Sequence, residues 1–326
     1  MQTVTRRGFL GSTASAISVT ALGETTPMTV AAAEPRGMAE MRAVAAKEKG
    51  IRIGMLTAPF GDRPLVDVLD FASQAGIPCL EVVADPGSKH IDPGTFSAAK
   101  ADEVKQMLAE RKLEITGLAC FLDGCKPGGA ENFQSHGRKM ADAAAWLGVP
   151  ALCMNTGMPL PNMSRINQLK QVVPKVFAPI IAYAKGQGIK IAIENWFETC
   201  LQGIDTFECL LDSIKDDNFG LNYDPSHLVH QECNHLLPVT MFGKRIFHTH
   251  AKDTLIDVEV RVRVGIYGRG WWRYVVPGSG RINWGEYINH LRMNGYRGVL
   301  SIEHEDPALS REKGFVLAAR HLAQFC

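Results

Sequence analysis

The chain has 326 residues, 46% of them hydrophobic, with 35 basic and 34 acidic side chains. That length and apolar content suit one large domain or two small ones around a buried core. Charge so near balance argues against a nucleic-acid binder, which normally carries an electrostatic excess, and indicates no acidic or anionic-lipid partner.

The first residues differ from the rest. "TRRGFLG" (5–11) leads into the uncharged run "STASAISVTAL", and "TVAAAEP" places a small-residue cleavage pattern around Ala31–Ala33. This order resembles a twin-arginine export signal over residues 1–33, with Arg6 and Arg7 as the pair. A disordered tail with a chance arginine pair is the alternative. The apolar run is too short for a membrane span, so no stable membrane insertion is expected. Such signals export folded proteins, so the reading is an exported, periplasmic protein that acquires any metal in the cytoplasm. Removing residues 1–33 takes away Arg6, Arg7 and Glu24, which leaves the remainder near neutral. Residues 34–50 read as a linker. The eight cysteines include no Cys-x-x-Cys pair, so no zinc ribbon or thioredoxin motif is present, and most read as buried small hydrophobes.

From residue 51 to 326, short apolar runs alternate with longer amphipathic ones. Strands are expected at 51–57, 79–84, 114–121, 151–156, 189–195, 219–224, 245–252 and 298–305. Helical patterns lie between them, among them "RINQLKQVVPKVFAPIIAYAKGQG" as one long helix, and Gly76, Gly148, Gly188 and Gly295 stand where helices should close. Eight strand–helix units imply an α/β fold with a parallel sheet closed into a single (β/α)8 TIM barrel. An open doubly wound sheet would want a Gly-rich phosphate turn after the first strand, and "LTAPFGDRP" is not one. Residues 254–283 form the longest irregular stretch, which suggests a functional loop or lid.

Active residues of such barrels sit at the C-terminal ends of strands. Those ends carry Glu81, Glu194, Asp224, His250 and Glu303. Carboxylates and one histidine at the ends of strands five to eight would stand side by side at the mouth. An oxygen-rich set with one imidazole suits Mn²⁺, Mg²⁺ or Co²⁺ better than a thiolate metal. In "FHTHAKD" (247–253), His248, His250 and Lys252 share a face at successive depths of about 6.6 Å. His250 is therefore the ligand candidate, His248 a supporting residue below it, and Lys252, one step further out, either contacts a substrate oxygen or is a rim charge.

"IAIEN" with Glu194, "LNYDPSH" with Asp224 and His227, "HTHAKD" with His250, "VVPGSGRINW" (275–284) and "YRGVLSIEHED" with Glu303 occur in this order. Together they resemble the sugar phosphate isomerase/epimerase superfamily, the xylose isomerase-like barrels, over residues 51–320. That superfamily includes ketose 3-epimerases, inosose dehydratases and the endonuclease IV type of DNA repair enzyme. The resemblance implies one divalent metal per chain, Mn²⁺ first, held by Glu194, Asp224, His250 and Glu303. It implies proton abstraction next to a metal-bound carbonyl, with Glu194 and Glu303 as the catalytic pair. It also implies that His227 holds a substrate oxygen and that Arg273, before "VVPGSG", binds substrate. Glu198 stands in for a second substrate-binding glutamate, although ketose epimerases place theirs two residues further on, where this chain has Cys200. Glu81 is a further substrate or supporting contact. Trp271 and Trp272 either stack on a sugar or pack the loop.

The leading reading is a metal-dependent isomerase or epimerase of a small sugar, keto-sugar or polyol. The same chemistry beside a leaving group gives a lyase or dehydratase acting on a keto-sugar or inosose. A DNA repair endonuclease would need additional metal-binding residues and basic loops, which the balanced charge does not suggest. A sugar-binding protein without catalysis would not need the whole ligand set. The family often forms homo-oligomers.

Overall fold

Strands buried on both faces need continuous apolar sequence, and short Val-, Ile-, Leu- and Ala-rich runs supply it here. In the computed structural model, which describes residues 50–326, they form β1 (Arg52–Leu56), β2 (Cys79–Val83), β3 (Glu114–Ala119), β4 (Ala151–Asn155) and β5 (Lys190–Glu194). Next come β6 (Phe219–Tyr223), β7 (Ile246–Ala251), β8 (Asp253–Ile256), β9 (Trp272–Val275) and β10 (Val299–Ile302). All strands except β8 and β9 close into one barrel in the order β1-β10-β7-β6-β5-β4-β3-β2, with every neighbouring pair parallel. The expected TIM barrel is therefore the fold. The export signal expected at 1–33, and the linker up to residue 49, lie outside the described residues.

The helices are α1 (Leu65–Ala75), α2 (Ala98–Arg111), α3 (Ala130–Leu147), α4 (Arg165–Gln171), α5 (Val173–Gly186) and α6 (Ile204–Ser213). They continue with α7 (Ser226–Val229), α8 (Leu237–Phe242), α9 (Val258–Val264), α10 (Trp284–Met293) and α11 (Arg311–Leu322). Gly76 and Gly148 close α1 and α3 in the left-handed region, at φ 68° and 75°, where a side chain would be strained. The single helix expected over residues 165–188 is two. Pro174 lacks the amide hydrogen an unbroken helix would use, so the chain turns at Val172 and restarts as α5. The core lies between helices and barrel. Phe177 of α5 meets Phe133 of α3 edge-on at 5.2 Å and Phe219 of β6 at 5.8 Å. A smaller cluster of Leu56, Ala119, Cys153 and Ala192 packs separately. All eight cysteines are free and six are buried. Among the described residues, no helix is long and apolar enough to cross a membrane.

The stretch expected to be irregular, 254–283, carries two strands and a helix. β8 and β9 pair antiparallel, with Thr254 opposite Tyr274 and Leu255 opposite Arg273. Alternating β-branched and aromatic residues explain the pairing. Between them, Asp257 caps α9 by accepting from the Val260 amide. One buried carboxylate then ties down the segment that follows β9. Asp253 accepts from the Gly278, Gly280 and Ile282 amides at 3.1, 3.2 and 3.1 Å and from Trp284 Nε1 at 2.9 Å. A Cβ at Gly280 would lie 2.2 Å from Asp253 Oδ1, so the "PGSGR" turn needs glycine there.

Candidate active site

Parallel strands bring their C-terminal ends to one face, and the four candidate ligands collect there. Glu194 is the last residue of β5, Asp224 follows β6, His250 lies near the end of β7 and Glu303 follows β10. One ligand-capable atom from each lies within 4.8 Å of all the others, and all four residues are buried. His250 Nδ1 is 3.1 Å from Glu303 Oε2, 3.3 Å from Glu194 Oε1 and 3.8 Å from Asp224 Oδ2.

This donor set fits a divalent cation. His250 Nε2 sits 3.0 Å from Glu81 Oε2. An Nε2–H donating to that carboxylate leaves the Nδ1 lone pair facing the mouth. Nδ1 and Asp224 Oδ2 are both buried without a hydrogen-bond partner. A lone pair and carboxylate oxygens turned toward one another repel unless a cation lies between them.

The layer beneath holds His250 in place. Glu81 is the third of five residues in β2 and 1% exposed. Of the two readings expected for it, substrate contact or supporting contact, its place favours the second, because two further strand residues separate it from the end of β2. Its partners are His250 and the Asn222 amide, which donates to Oε1 at 3.3 Å. Burial would raise the Glu81 carboxyl, yet His250 and His248 hold it at about 2. His248 supports this layer as expected, its Nδ1 3.2 Å from Asn222 Oδ1 and its Nε2 3.3 Å from Thr116 Oγ1.

Lys252 is not a rim residue. Its side chain is 1% exposed, and Nζ lies 2.6 Å from Glu303 Oε2, 3.3 Å from Asp224 Oδ2 and 3.6 Å from Glu305 Oε2. Burial lowers the proton affinity of this amine, but the neighbouring carboxylates raise it well above the ordinary lysine value, so it stays an ammonium. The Lys252 amine is drawn in among the carboxylates by these ion pairs, and Asp253, the next residue, already belongs to the β8–β9 ribbon.

His227, in the single turn α7, joins the cluster with Nε2 3.4 Å from both Glu194 Oε1 and Asp224 Oδ2. Arg273 turns elsewhere, donating to Asp306 Oδ1 at 2.6 Å. Glu198 is exposed on the loop after β5. Trp271 is buried and bonds the Gly268 carbonyl. Trp272 lies flat on His230, with centroids 3.9 Å apart and planes 6° apart. Phe197 meets both rings edge-on, at 4.6 Å from His230 and 5.7 Å from Trp272. An aromatic wall therefore stands beside His227, whose ring lies 5.9 Å from that of Phe197.

Sequence reasoning missed three residues of the site. Asn222 was within reach of it, since it stands two residues before Asp224 and shares its face of the strand. Glu305 likewise stands two after Glu303. Tyr274 had no such signal, because it comes from β9 in a stretch expected to be irregular.

The model of the xylose isomerase-like TIM barrel family matches residues 69–325. The chain belongs to that family. Bacillus subtilis YfiH, a protein of uncharacterised function, is 28% identical over 312 residues, covering 84% of this chain and 99% of its own. Inosose dehydratase of Clostridium beijerinckii is 28% identical over 142 residues, 42% of this chain; the match spans only 48% of that relative. The crystal structure of the IOLI protein with a bound zinc atom shares the fold at a TM-score of 0.67 and 18% identity, covering 85% of this chain and 99% of that one.

Proposed function

We propose that this barrel is a divalent-metal-dependent isomerase or epimerase of a small keto-sugar or polyol, working by proton transfer at a carbon next to a carbonyl. The observation that carries the reading is the buried convergence of Glu194, Asp224, His250 and Glu303, with an unpartnered nitrogen and an unpartnered oxygen turned into it. A divalent cation held there, with Mn²⁺, Mg²⁺ or Co²⁺ matching the oxygen-rich set, would polarise the substrate carbonyl and acidify the adjacent C–H.

The chain's own residues do the rest. β5 and β10 have β6 and β7 between them in the barrel, so Glu194 and Glu303 reach the centre from opposite flanks. Burial raises the Glu194 carboxyl, but His250, His227 and Lys252 hold it well below the usual range, so it enters the site ionised and ready to accept a proton. Glu303, entering as the protonated partner, delivers a different proton from the other flank, and the two carboxyl groups end with their protonation states exchanged. His227 Nε2 holds a substrate oxygen, and the aromatic wall covers an apolar sugar face.

Lys252 favours a second reading. A buried ammonium 2.6 Å from Glu303 can protonate a departing hydroxyl, which would turn the same proton abstraction into a dehydration. The partial likeness to an inosose dehydratase supports this branch. An exported location, as residues 1–33 suggest, fits an oxidised or glycosidic sugar better than a phosphorylated one. Candidate keto-sugars incubated with metal-loaded protein in D₂O separate the two outcomes. Epimerisation leaves deuterium in an intact sugar, and elimination gives an unsaturated product. Absence of both across keto-sugars and inososes, with full metal occupancy, would sink the proposal.

A further inference from the structure

We propose that Tyr274 is a positioning residue: its hydroxyl fixes His227 as the Nε2–H tautomer, so that this histidine enters the site as a hydrogen-bond donor to a neutral hydroxyl or carbonyl oxygen. The inference deepens the functional reading above and rests on it for the substrate.

Tyr274 comes from the antiparallel ribbon, outside the barrel sheet. Its hydroxyl lies 2.6 Å from His227 Nδ1 and its ring stands edge-on to the imidazole, with centroids 5.3 Å apart. Direction follows from what each group can give. Burial pushes the Tyr274 phenol far above its ordinary value, so it keeps its proton. The same oxygen has His230 Nε2 at 3.5 Å, placed to supply a second, weaker hydrogen bond. A protonated phenol can donate or accept, and the two carboxylate oxygens 3.4 Å from Nε2 decide between them: the imidazole proton goes to Nε2 and Tyr274 O–H donates to Nδ1.

The far side of the ring suits a donor. Nε2 faces two acceptors, Glu194 Oε1 and Asp224 Oδ2, both at 3.4 Å. Lys252 Nζ is also near Nε2, at 3.3 Å. Its own hydrogen bond goes to a carboxylate, Glu303 Oε2 at 2.6 Å. The ammonium also sits 4.5 Å from the Tyr274 ring centre, so one aromatic side chain orders both cationic and neutral donors of the mouth. A substrate oxygen entering between the carboxylates and His227 meets N–H hydrogens, which selects a lone pair.

The test uses full-length, Mg²⁺-loaded protein labelled with ¹⁵N-histidine, Mg²⁺ being diamagnetic. Long-range ¹⁵N–¹H correlation reads which ring nitrogen carries the proton, and the His227 signals are assigned by their loss in His227→Asn. The expected result is Nε2–H in the parent and a shift toward Nδ1–H, or a mixture, in Tyr274→Phe. KM should rise about tenfold in Tyr274→Phe, the worth of one hydrogen bond, with kcat changing less. Trp272→Phe, which alters the aromatic wall but leaves the hydroxyl, should keep the parent tautomer. Nδ1–H in the parent overturns the proposal, as does an unchanged tautomer in Tyr274→Phe. An equal shift in Trp272→Phe would assign the effect to packing and overturn it too. Failure to turn over any keto-sugar would remove the functional reading, while the tautomer spectrum would still decide this one.

Discussion

The strand ends and the β8–β9 ribbon meet at one site but supply it in different ways. From the ends of β5, β6, β7 and β10 come charged groups, and among them His250 is held from below by a buried layer of Glu81, Asn222 and His248. The ribbon brings aromatic rings, Trp272 and Tyr274, which touch histidines and not the carboxylates. The contrast separates two jobs. On the proposed function, the barrel fixes what chemistry is possible, and the ribbon orients the histidine that would meet the substrate.

That division is tested most severely at Glu303. Glu303→Gln keeps the shape and an oxygen but removes the carboxylate proposed to exchange the proton. Turnover of a responsive keto-sugar should fall about a thousandfold, read by steady-state kinetics with metal content measured alongside. If the loss follows metal occupancy alone, Glu303 is a ligand without an acid–base role, and the barrel half holds metal only.

One layer down, the effect should move from turnover to affinity. Glu81 accepts from His250 and sits beneath the mouth. Glu81→Gln keeps a similar shape but loses the charge that orients the imidazole. Metal affinity should drop about 10- to 100-fold in a chelator competition assay, while kcat at saturating metal changes far less. A kcat loss as large as that of Glu303→Gln would mean that Glu81 reaches the substrate after all.

How much of this was legible in the sequence follows the same line. The barrel, its strand positions and the four converging residues were readable because a buried parallel strand writes itself as an apolar run ending in a polar group. Glu81 was left between a substrate and a supporting contact, because a polar residue inside a five-residue strand looks like one at its end. The ribbon was hidden by its insert, in which alternating valines form α9 with no buried residue. There the local pattern is strand-like and the structure is helical, so period alone could not place Trp272 or Tyr274. Lys252 was placed at the rim by counting steps along a straight strand, whereas Asp253 already belongs to the ribbon.

Asp253 is where the two regions join. It ends the "HTHAKD" motif and gathers three amides and the Trp284 indole. Asp253→Ala leaves those buried donors without an acceptor and should cost about 3 kcal/mol, measured by urea unfolding. If the ribbon is the orienting half, KM should rise with little change in metal affinity. Equal losses of metal and substrate binding would break the distinction between the two regions.

The smallest expected effect concerns pH. Burial, with His227 and Lys252 nearby, lowers His230 to about 4 from an ordinary 6.5, although Asp224 opposes the shift. His230 is thus neutral in the folded chain while its unfolded counterpart takes up a proton below 6.5. Between those values the unfolded state binds more protons, so stability rises with pH. The contribution is complete above about 6.5, declines as pH falls, and is gone near 4. His230→Phe keeps a ring against Trp272 and removes the titration. Its urea midpoint should therefore change less between pH 7 and 4.5 than that of the parent. An identical pH slope in both proteins would mean that the His230–Trp272 stack is no more closed to protons than the open mouth beside it.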